Sequence, residues 1–170
     1  MMAKYFFALI VFCVLFSGCA GTYRVSVEFS PSLRDHFIEY PTIEVDIAAV
    51  TEKEADEVKQ LGVEKYFAPN SGIRERLQGE TFFFFRGGQN TFLLDSKDPA
   101  WSIWRRKKPT HVMAIASLPH DPSISPQDDP RSMTVKMTGR RIRFRRRTSD
   151  INIQVEPKRI ILLTEPPSGK

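Results

Sequence analysis

Short runs in which apolar and polar residues alternate recur along this chain, and they restrict it to a β-rich fold. Val, Phe or Tyr occupies every second position of residues 23–29, and Ile43, Val45 and Ile47 begin a similar run that extends to Val50. A period of two with β-branched and aromatic side chains predicts strands that are buried on one face. Further strand-like runs lie at residues 81–85, 90–94, 111–118, 133–137, 142–144, 151–155 and 160–163.

The spacing of these runs indicates how the strands are arranged. About eight short strands separated by turn signals predict a mainly β protein, a two-sheet antiparallel β-sandwich. A parallel α/β sheet would need a helix after nearly every strand, and the second half of the chain has no such helices. Residues 111–118 are apolar almost throughout, which predicts a central strand.

A short helical insertion is expected at about residues 51–79. Thr51 and Glu54 have the spacing of a capping box, which predicts a helix over residues 52–60 that ends at Gly62. One more turn at residues 63–67 and a short helix that Ser71 caps, that continues through Gln78 and that ends at Gly79 complete the insertion.

Two further local signals lie near the middle of the chain. Gly87 and Gly88 separate two strand-like runs, which predicts a hairpin turn that joins them. Asp98 before Pro99 predicts a helix start, and Trp101 and Trp104 stand on one face of that helix, where we expect them to pack in the core.

The N-terminal residues have the architecture of a signal peptide. Lys4 precedes an uncharged apolar segment at residues 5–16, which is too short to span a bilayer as a helix. The following Leu-Phe-Ser-Gly-Cys sequence, which ends at Cys19, resembles the lipobox of bacterial lipoproteins, in which the cysteine is acylated. The alternatives are an uncleaved membrane anchor and a soluble secreted protein.

This interpretation divides the chain into four parts. Residues 1–18 are a lipoprotein signal peptide, 19–22 a lipid-anchored linker, 23–165 one β-sandwich domain, and 166–170 a disordered tail. Ala20 stands where Asp would resemble a signal for retention in the inner membrane, so the expected location is the outer membrane, facing the periplasm. Cys13 leaves with the signal peptide and Cys19 carries the lipid, so no thiol remains for a disulfide or for catalysis.

No pattern in the sequence indicates an enzyme, a cofactor or a metal site. His36, His111 and His120 lack metal-ligand spacing, and no nucleophile motif occurs. Asp128 and Asp129 are adjacent, but they lie in the proline-rich residues 119–130, which predict a long, solvated, acidic loop.

Positive charge is concentrated in one segment of the chain. Six arginines fall between Arg140 and Arg147, within a protein of formal net charge +5. Ile142 and Phe144 alternate with them and are expected to face the core. Two interpretations stay open: the arginines form a solvated strand face, or they contact an acidic partner or lipid headgroups. A periplasmic protein does not meet nucleic acid.

The order of these features resembles the small outer-membrane lipoprotein of type VI secretion systems, the TssJ (SciN) family. The resemblance rests on the Cys19 sequence, the strands at residues 23–29 and 43–50, the helices before Thr81, the run Pro109-Thr110-His111-Val112-Met113-Ala114-Ile115-Ala116, and the final strand pair. The arginine-rich segment and the proline-rich loop have no counterpart that we can match to the family.

The resemblance implies a transthyretin-like sandwich and an anchoring function. Such a protein holds the periplasmic domain of a large inner-membrane secretion subunit (TssM-like). In that family the loop between the first two strands contacts the partner, and this loop corresponds here to residues 30–41. The side chains that we expect to form an exposed partner-binding cluster are Leu33, Arg34, Phe37, Ile38 and Tyr40. The alternative is that the apolar ones fold back over the sandwich as a helical turn.

Two other function classes compete with this one. A lipoprotein that carries a lipid or other small apolar ligand would enclose an apolar pocket, which the phenylalanines of residues 82–85 could line. A hydrolase of cell-wall glycan is disfavoured, because no pair of carboxylates stands out in the sequence.

Overall fold

The computed structural model describes residues 23–37, 42–85, 88–119, 121–137 and 149–164. Within these residues, two four-stranded sheets have the orders β4-β1-β7-β8 and β3-β2-β5-β6. The strands are β1 (Tyr23–Phe29), β2 (Ile43–Val50), β3 (Glu80–Phe84), β4 (Thr91–Leu94), β5 (His111–Ala116), β6 (Ser132–Lys136), β7 (Ser149–Glu156) and β8 (Arg159–Leu162). The predicted two-sheet sandwich is confirmed.

Paired strands run antiparallel, with one exception in the first sheet. β1 and β7 are parallel, and Tyr23 lies opposite Ser149 at the start of both strands. The other pairs are antiparallel, as the sequence pattern predicts.

The apolar side chains that alternate along the strands fill the space between the two sheets. Val25, Val27 and Phe29 of β1 meet Val45 and Phe84 of the second sheet in one buried cluster. The rings of Phe29 and Phe84 stack across the sheets with their centroids 5.1 Å apart. Burial of each such side chain stabilises the fold by about 1.5–3 kcal/mol relative to leaving it exposed.

The helical segments are short, and most of them cover the outer face of the second sheet. Their bounds are α1 (Ser32–His36), α2 (Glu52–Leu61), α3 (Val63–Tyr66), α4 (Gly72–Leu77) and α5 (Pro99–Trp104), with 3-10 turns at Arg105–Lys107 and Pro126–Asp128. α2, α3 and α4 form a second core with the outward-facing side chains of β2 and β5, among them Ala48, Val50 and Ile115. This second core explains why the end of β2 is apolar on both faces.

The helix boundaries follow the local signals with one correction. Thr51 and Glu54 form the predicted capping box at the start of α2, and Asp98 accepts a hydrogen bond from the Ala100 amide at the start of α5. At the start of α4 the Ser71 hydroxyl makes no capping hydrogen bond. At its end, Gln78 adopts the left-handed conformation (φ 52°) that closes the helix, so the helix stops one residue before the predicted Gly79. Gly79 is constrained by packing, since a Cβ there would lie 3.1 Å from the Ile47 carbonyl oxygen.

The predicted hairpin between β3 and β4 is wrong. β3 pairs with β2 in one sheet, and β4 pairs with β1 in the other, so the chain passes from one sheet to the other between these two strands. A glycine-rich segment allows the chain to reverse, but the pairing depends on which strand edges accept a partner. Phe82 and Phe92 instead meet across the two sheets, with ring centroids 5.3 Å apart.

The sandwich has two distinct ends, which we call the Phe29 end and the Tyr23 end. The Phe29 end holds α1, the β5–β6 loop (residues 117–131) and the β7–β8 turn (residues 157–158). The turn is there because β7 runs parallel to β1 and ends beside Phe29. The loop is there because the Ser117 amide donates to the Glu44 carbonyl at the start of β2, and the Ile160 amide donates to the Pro130 carbonyl. The Tyr23 end holds the starts of β1, β5 and β7 and the ends of β2 and β6.

Both cores are built from side chains that lie between Tyr23 and Leu162. The first fills the space between the sheets, and the second lies between the helical layer and the outer face of the second sheet. Within the described residues, no helix has the length and apolar character needed to cross a membrane.

Candidate functional site

The Phe29 end brings together three segments that are far apart in the sequence. α1, the β5–β6 loop and the β7–β8 turn border a surface cavity of about 320 Å³. Its apolar wall is formed by Pro119, Pro122, Ile124, Pro130 and Pro157, and its rim carries His36, Asp121, Lys158 and Arg159. An apolar floor with a polar rim is the usual composition of a protein-binding surface.

α1 is attached to the sandwich by Leu33. The Leu33 side chain is completely buried in the core between the sheets, and its amide donates to the Ser30 carbonyl 3.0 Å away. The expectation that Leu33 is part of an exposed apolar cluster is therefore wrong. A helical turn that begins directly after β1 rotates this side chain inward, where it gains the burial of a core residue.

The other members of the expected cluster differ in their surroundings. Arg34 is exposed, and its guanidinium donates to the Asn90 side-chain oxygen at 3.1 Å. Phe37 is half-buried against the core, and its ring meets the exposed His36 edge-on at 5.1 Å. Ile38 and Tyr40 lie outside the described residues. Arg34 and His36 of α1, and Phe37 directly after it, are therefore accessible to a partner.

A buried ion pair fixes the β5–β6 loop beside this surface. The guanidinium of Arg131 binds the Asp129 carboxylate through two nitrogens, at 3.0 and 2.7 Å, and donates to the Leu118 carbonyl at 2.9 Å. Arg131 also reaches Glu64 of α3 at 2.6 Å, which connects the loop to the helical layer. Burial alone would lower the pKa of Arg131, but the hydrogen bonds to Asp129 and Glu64 outweigh it, so the pKa lies above its ordinary value.

This ion pair corrects the interpretation of the acidic loop. Most described residues of 119–130, Asp128 among them, are exposed as predicted, but Asp129 is 7% exposed and its partner Arg131 is 3% exposed. The sequence did contain a signal, because Asp129 and Arg131 stand two residues apart around a proline. That spacing allows a short-range pair, but it does not reveal whether the pair is buried.

A second buried polar cluster lies under the helical layer and is structural. Asp46 is 3% exposed and accepts hydrogen bonds from Tyr66 at 3.0 Å, Arg74 at 2.8 Å and Thr81 at 2.7 Å. Arg74 also binds Glu44 and lies over the Phe67 ring. Burial, together with the Asp46 carboxylate, raises the pKa of the Tyr66 phenol above its ordinary value.

This cluster predicts a pH-dependent stability. Tyr66→Phe should lower the free energy of unfolding by about 1.5–3 kcal/mol at pH 7, because it removes a hydrogen bond to a charged group. The folded-state pKa is raised, so the contribution of Tyr66 is complete below the unfolded value of about 10 and decreases as the pH rises above it. Chemical denaturation at pH 7 and pH 10.5 should therefore give a smaller difference between wild type and Tyr66→Phe at the higher pH.

Thr81→Val provides the control for this prediction. It removes another hydrogen bond to Asp46, but a threonine hydroxyl does not titrate in this range. Its cost should be the same at both pH values. A Tyr66→Phe cost that is equally constant would contradict the assigned environment of the phenol.

No catalytic or metal-binding arrangement appears among the residues that the structure describes. His111 is half-buried, with its Nδ1 2.9 Å from the Thr110 hydroxyl, and His36 is on the surface. His120 lies outside the described residues. The described part of the chain contains no group of three side chains that could hold a metal ion.

The phenylalanine-rich strand is divided between the core and the surface. Phe82 and Phe84 pack into the core between the sheets, whereas Phe83 and Phe85 are 44% and 53% exposed. These residues form an aromatic edge of the second sheet. The carrier hypothesis depended on this segment as a cavity wall, and it receives no support.

Several predicted features fall outside the described residues. They are Cys19 and the signal peptide, the arginines from Arg140 to Arg147 with Ile142 and Phe144, and the tail.

Comparison with solved structures shows which proteins share this fold. The chain is similar to the Lip protein of Serratia marcescens, a membrane-bound component of the type VI secretion system, with a TM-score of 0.54, 8% identity, and 85% of this chain and 99% of that chain covered. It is also similar to the type VI lipoprotein TssJ1 of Pseudomonas aeruginosa, with a TM-score of 0.50, 13% identity and coverage of 86% and 99%. A chain from a structure of the TssM C-terminal domain from EAEC matches with a TM-score of 0.53, 9% identity and coverage of 84% and 100%.

These likenesses define the class of fold. The chain has the two-sheet sandwich of the type VI secretion lipoproteins over most of its length, and the resemblance expected from the sequence is confirmed in the fold. A scan against protein-family models and a search of curated proteins gave no match.

Proposed function

We infer that this protein is a lipid-anchored, outer-membrane lipoprotein that holds the periplasmic domain of an inner-membrane secretion subunit, as a TssJ-like component of a type VI secretion system. The observation that carries this function is the polarity of the sandwich. Tyr23, which is four residues after Cys19, lies at one end of the sandwich, and α1 with its cavity lies at the opposite end.

The dimensions suit such a bridging role. β2 has eight residues and spans about 26 Å. A domain tethered near Tyr23 would therefore present the Phe29 end well away from the membrane. A partner that extends from the other membrane would meet that end first.

The composition of the Phe29 end supports a protein partner. Phe37 is an aromatic side chain at the edge of the core, the ring of exposed His36 contacts it, and Arg34 is exposed on the preceding helix α1. Aromatic and arginine side chains are enriched among the residues that dominate binding energy at interfaces. The cavity beside them offers a recess for a side chain of the partner. The proposed function is structural and involves no catalysis.

Phe37→Ala should weaken binding of the soluble domain, starting at Ala20, to the periplasmic domain of the secretion subunit. A central anchor contributes about 2 kcal/mol, so we expect a roughly thirtyfold rise in Kd, measured by isothermal titration calorimetry. Ile103→Ala is the control, because Ile103 is an apolar side chain that is 38% exposed in α5, next to Tyr23 at the opposite end of the sandwich.

Arg34→Glu keeps this test valid if Phe37→Ala perturbs the fold. Arg34 is exposed and makes no buried contact, so its replacement should leave the melting temperature unchanged while weakening binding at least several-fold. If both variants bind as wild type does, the partner contacts another surface.

A further inference from the structure

Four exposed basic side chains gather at the Tyr23 end of the sandwich. Arg105, Arg106 and Lys108 directly follow α5, and Lys136 is the last residue of β6. α5 is held there by Trp101, whose ring centroid is 6.1 Å from that of Tyr23. Lys136 lies opposite His111, the first residue of β5, and is therefore at the same end.

These four cations are not neutralised by the described part of the chain. No ion pair joins Arg105, Arg106, Lys108 or Lys136 to any described acidic side chain, whereas their neighbour Lys107 lies 4.0 Å from Glu54.

Three carboxylates at this end of the sandwich already have other partners. Asp150 binds Arg24 at 2.9 Å, Glu54 closes the capping box of α2, and Asp98 caps α5. The four cations therefore face solvent with their charge available.

The length of the linker places this end of the domain close to a membrane. Three residues separate Cys19 from Tyr23, so an acylated Cys19 would hold Tyr23 within about 14 Å of the lipid. The screening length at physiological ionic strength is about 8 Å, so charges at this end lie within reach of headgroup phosphates.

We propose that the surface formed by Arg105, Arg106, Lys108 and Lys136 docks on the anionic phospholipid headgroups of the membrane that holds the Cys19 anchor. The lipid tether by itself fixes only a distance. Docking of the basic surface fixes the orientation, so that α1 and its cavity point away from the membrane. This inference rests on the lipid anchoring of the proposed function.

Vesicle binding of the unlipidated domain tests the docking surface directly. The domain starting at Ala20 is cosedimented at low ionic strength with vesicles of phosphatidylglycerol and phosphatidylethanolamine, and with vesicles of phosphatidylcholine alone. Wild type should bind the anionic vesicles and not the zwitterionic ones. Arg105→Gln with Arg106→Gln should lower the partition coefficient roughly thirtyfold, about the loss expected for two cations near an anionic surface.

The matched control changes the same charge at the opposite end. Lys158→Gln with Arg159→Gln should bind vesicles as wild type does. Equal binding of wild type to anionic and zwitterionic vesicles would overturn the proposal. So would unchanged vesicle binding by the Arg105 and Arg106 variant, or a loss of vesicle binding in the control that equals the loss in this variant. If the Arg105 and Arg106 variant instead loses affinity for the secretion subunit while keeping vesicle binding, the surface is a protein contact.

This assay separates the inference from the proposed function. It requires neither acylation of Cys19 nor the secretion subunit, so a failure of either leaves the vesicle result interpretable. Conversely, normal binding of the subunit by a domain that ignores anionic vesicles would leave the anchoring function intact and reject the docking surface.

Discussion

Replacing Arg131 by Met should lower the free energy of unfolding by about 3–5 kcal/mol, the usual cost of removing one partner of a buried ion pair. The change leaves the carboxylate of Asp129, whose side chain is 5% exposed, without its main partner. It also removes the contact to Glu64 that connects the β5–β6 loop to α3. The measurement is urea denaturation followed by tryptophan fluorescence.

Two companion variants identify the cause of the loss. Arg159→Met removes an exposed arginine that pairs with Glu156 across the β7–β8 turn, and it should cost less than about 1 kcal/mol. Arg131→Met combined with Asp129→Asn should recover a large part of the stability, because no uncompensated charge remains buried. A single variant Arg131→Met that is as stable as wild type would contradict the burial of this pair.

Replacing Cys19 by Ser should abolish membrane attachment. In the lipoprotein interpretation the Cys19 thiol is acylated, and two or more fatty chains give stable anchoring. A serine at this position cannot be acylated in this way, so the anchor is lost. Fractionation of cells should find wild type in the outer membrane and the Cys19→Ser protein either unprocessed or free in the periplasm.

Cys13→Ser is the control for this experiment, because Cys13 lies within the apolar segment at residues 5–16, before the proposed acylation site. It should be processed and located as wild type is. If the Cys19→Ser protein still fractionates with the outer membrane in the same way, the lipid anchor is not at this residue.

The features that the sequence predicted well depend on residues close together in the chain. The period of two gives β1 and β2 with their observed bounds, and the capping box at Thr51 gives the start of α2. In each case the side chains that decide the structure lie within a few residues of one another. The burial of Trp101 and Trp104 follows in the same way from their spacing on one helix.

The features that were missed depend on residues far apart in the chain. The run at residues 81–94 looks like one hairpin, yet β3 and β4 pair with β2 and β1, which precede them by dozens of residues. Leu33 is one apolar residue in a polar segment, and only the position of α1 over the core decides that it is buried. The cavity at the Phe29 end combines three segments that are far apart in the sequence, so no local pattern could reveal it.

Site-specific crosslinking in cells tests the polarity of the domain most directly. A photoreactive benzophenone amino acid replaces His36 at the Phe29 end in one strain and Arg106 at the Tyr23 end in another, because both side chains are exposed. The proposed function predicts a covalent adduct with the inner-membrane secretion subunit from position 36 and none from position 106. An adduct with that subunit from position 106 and none from position 36 would contradict it.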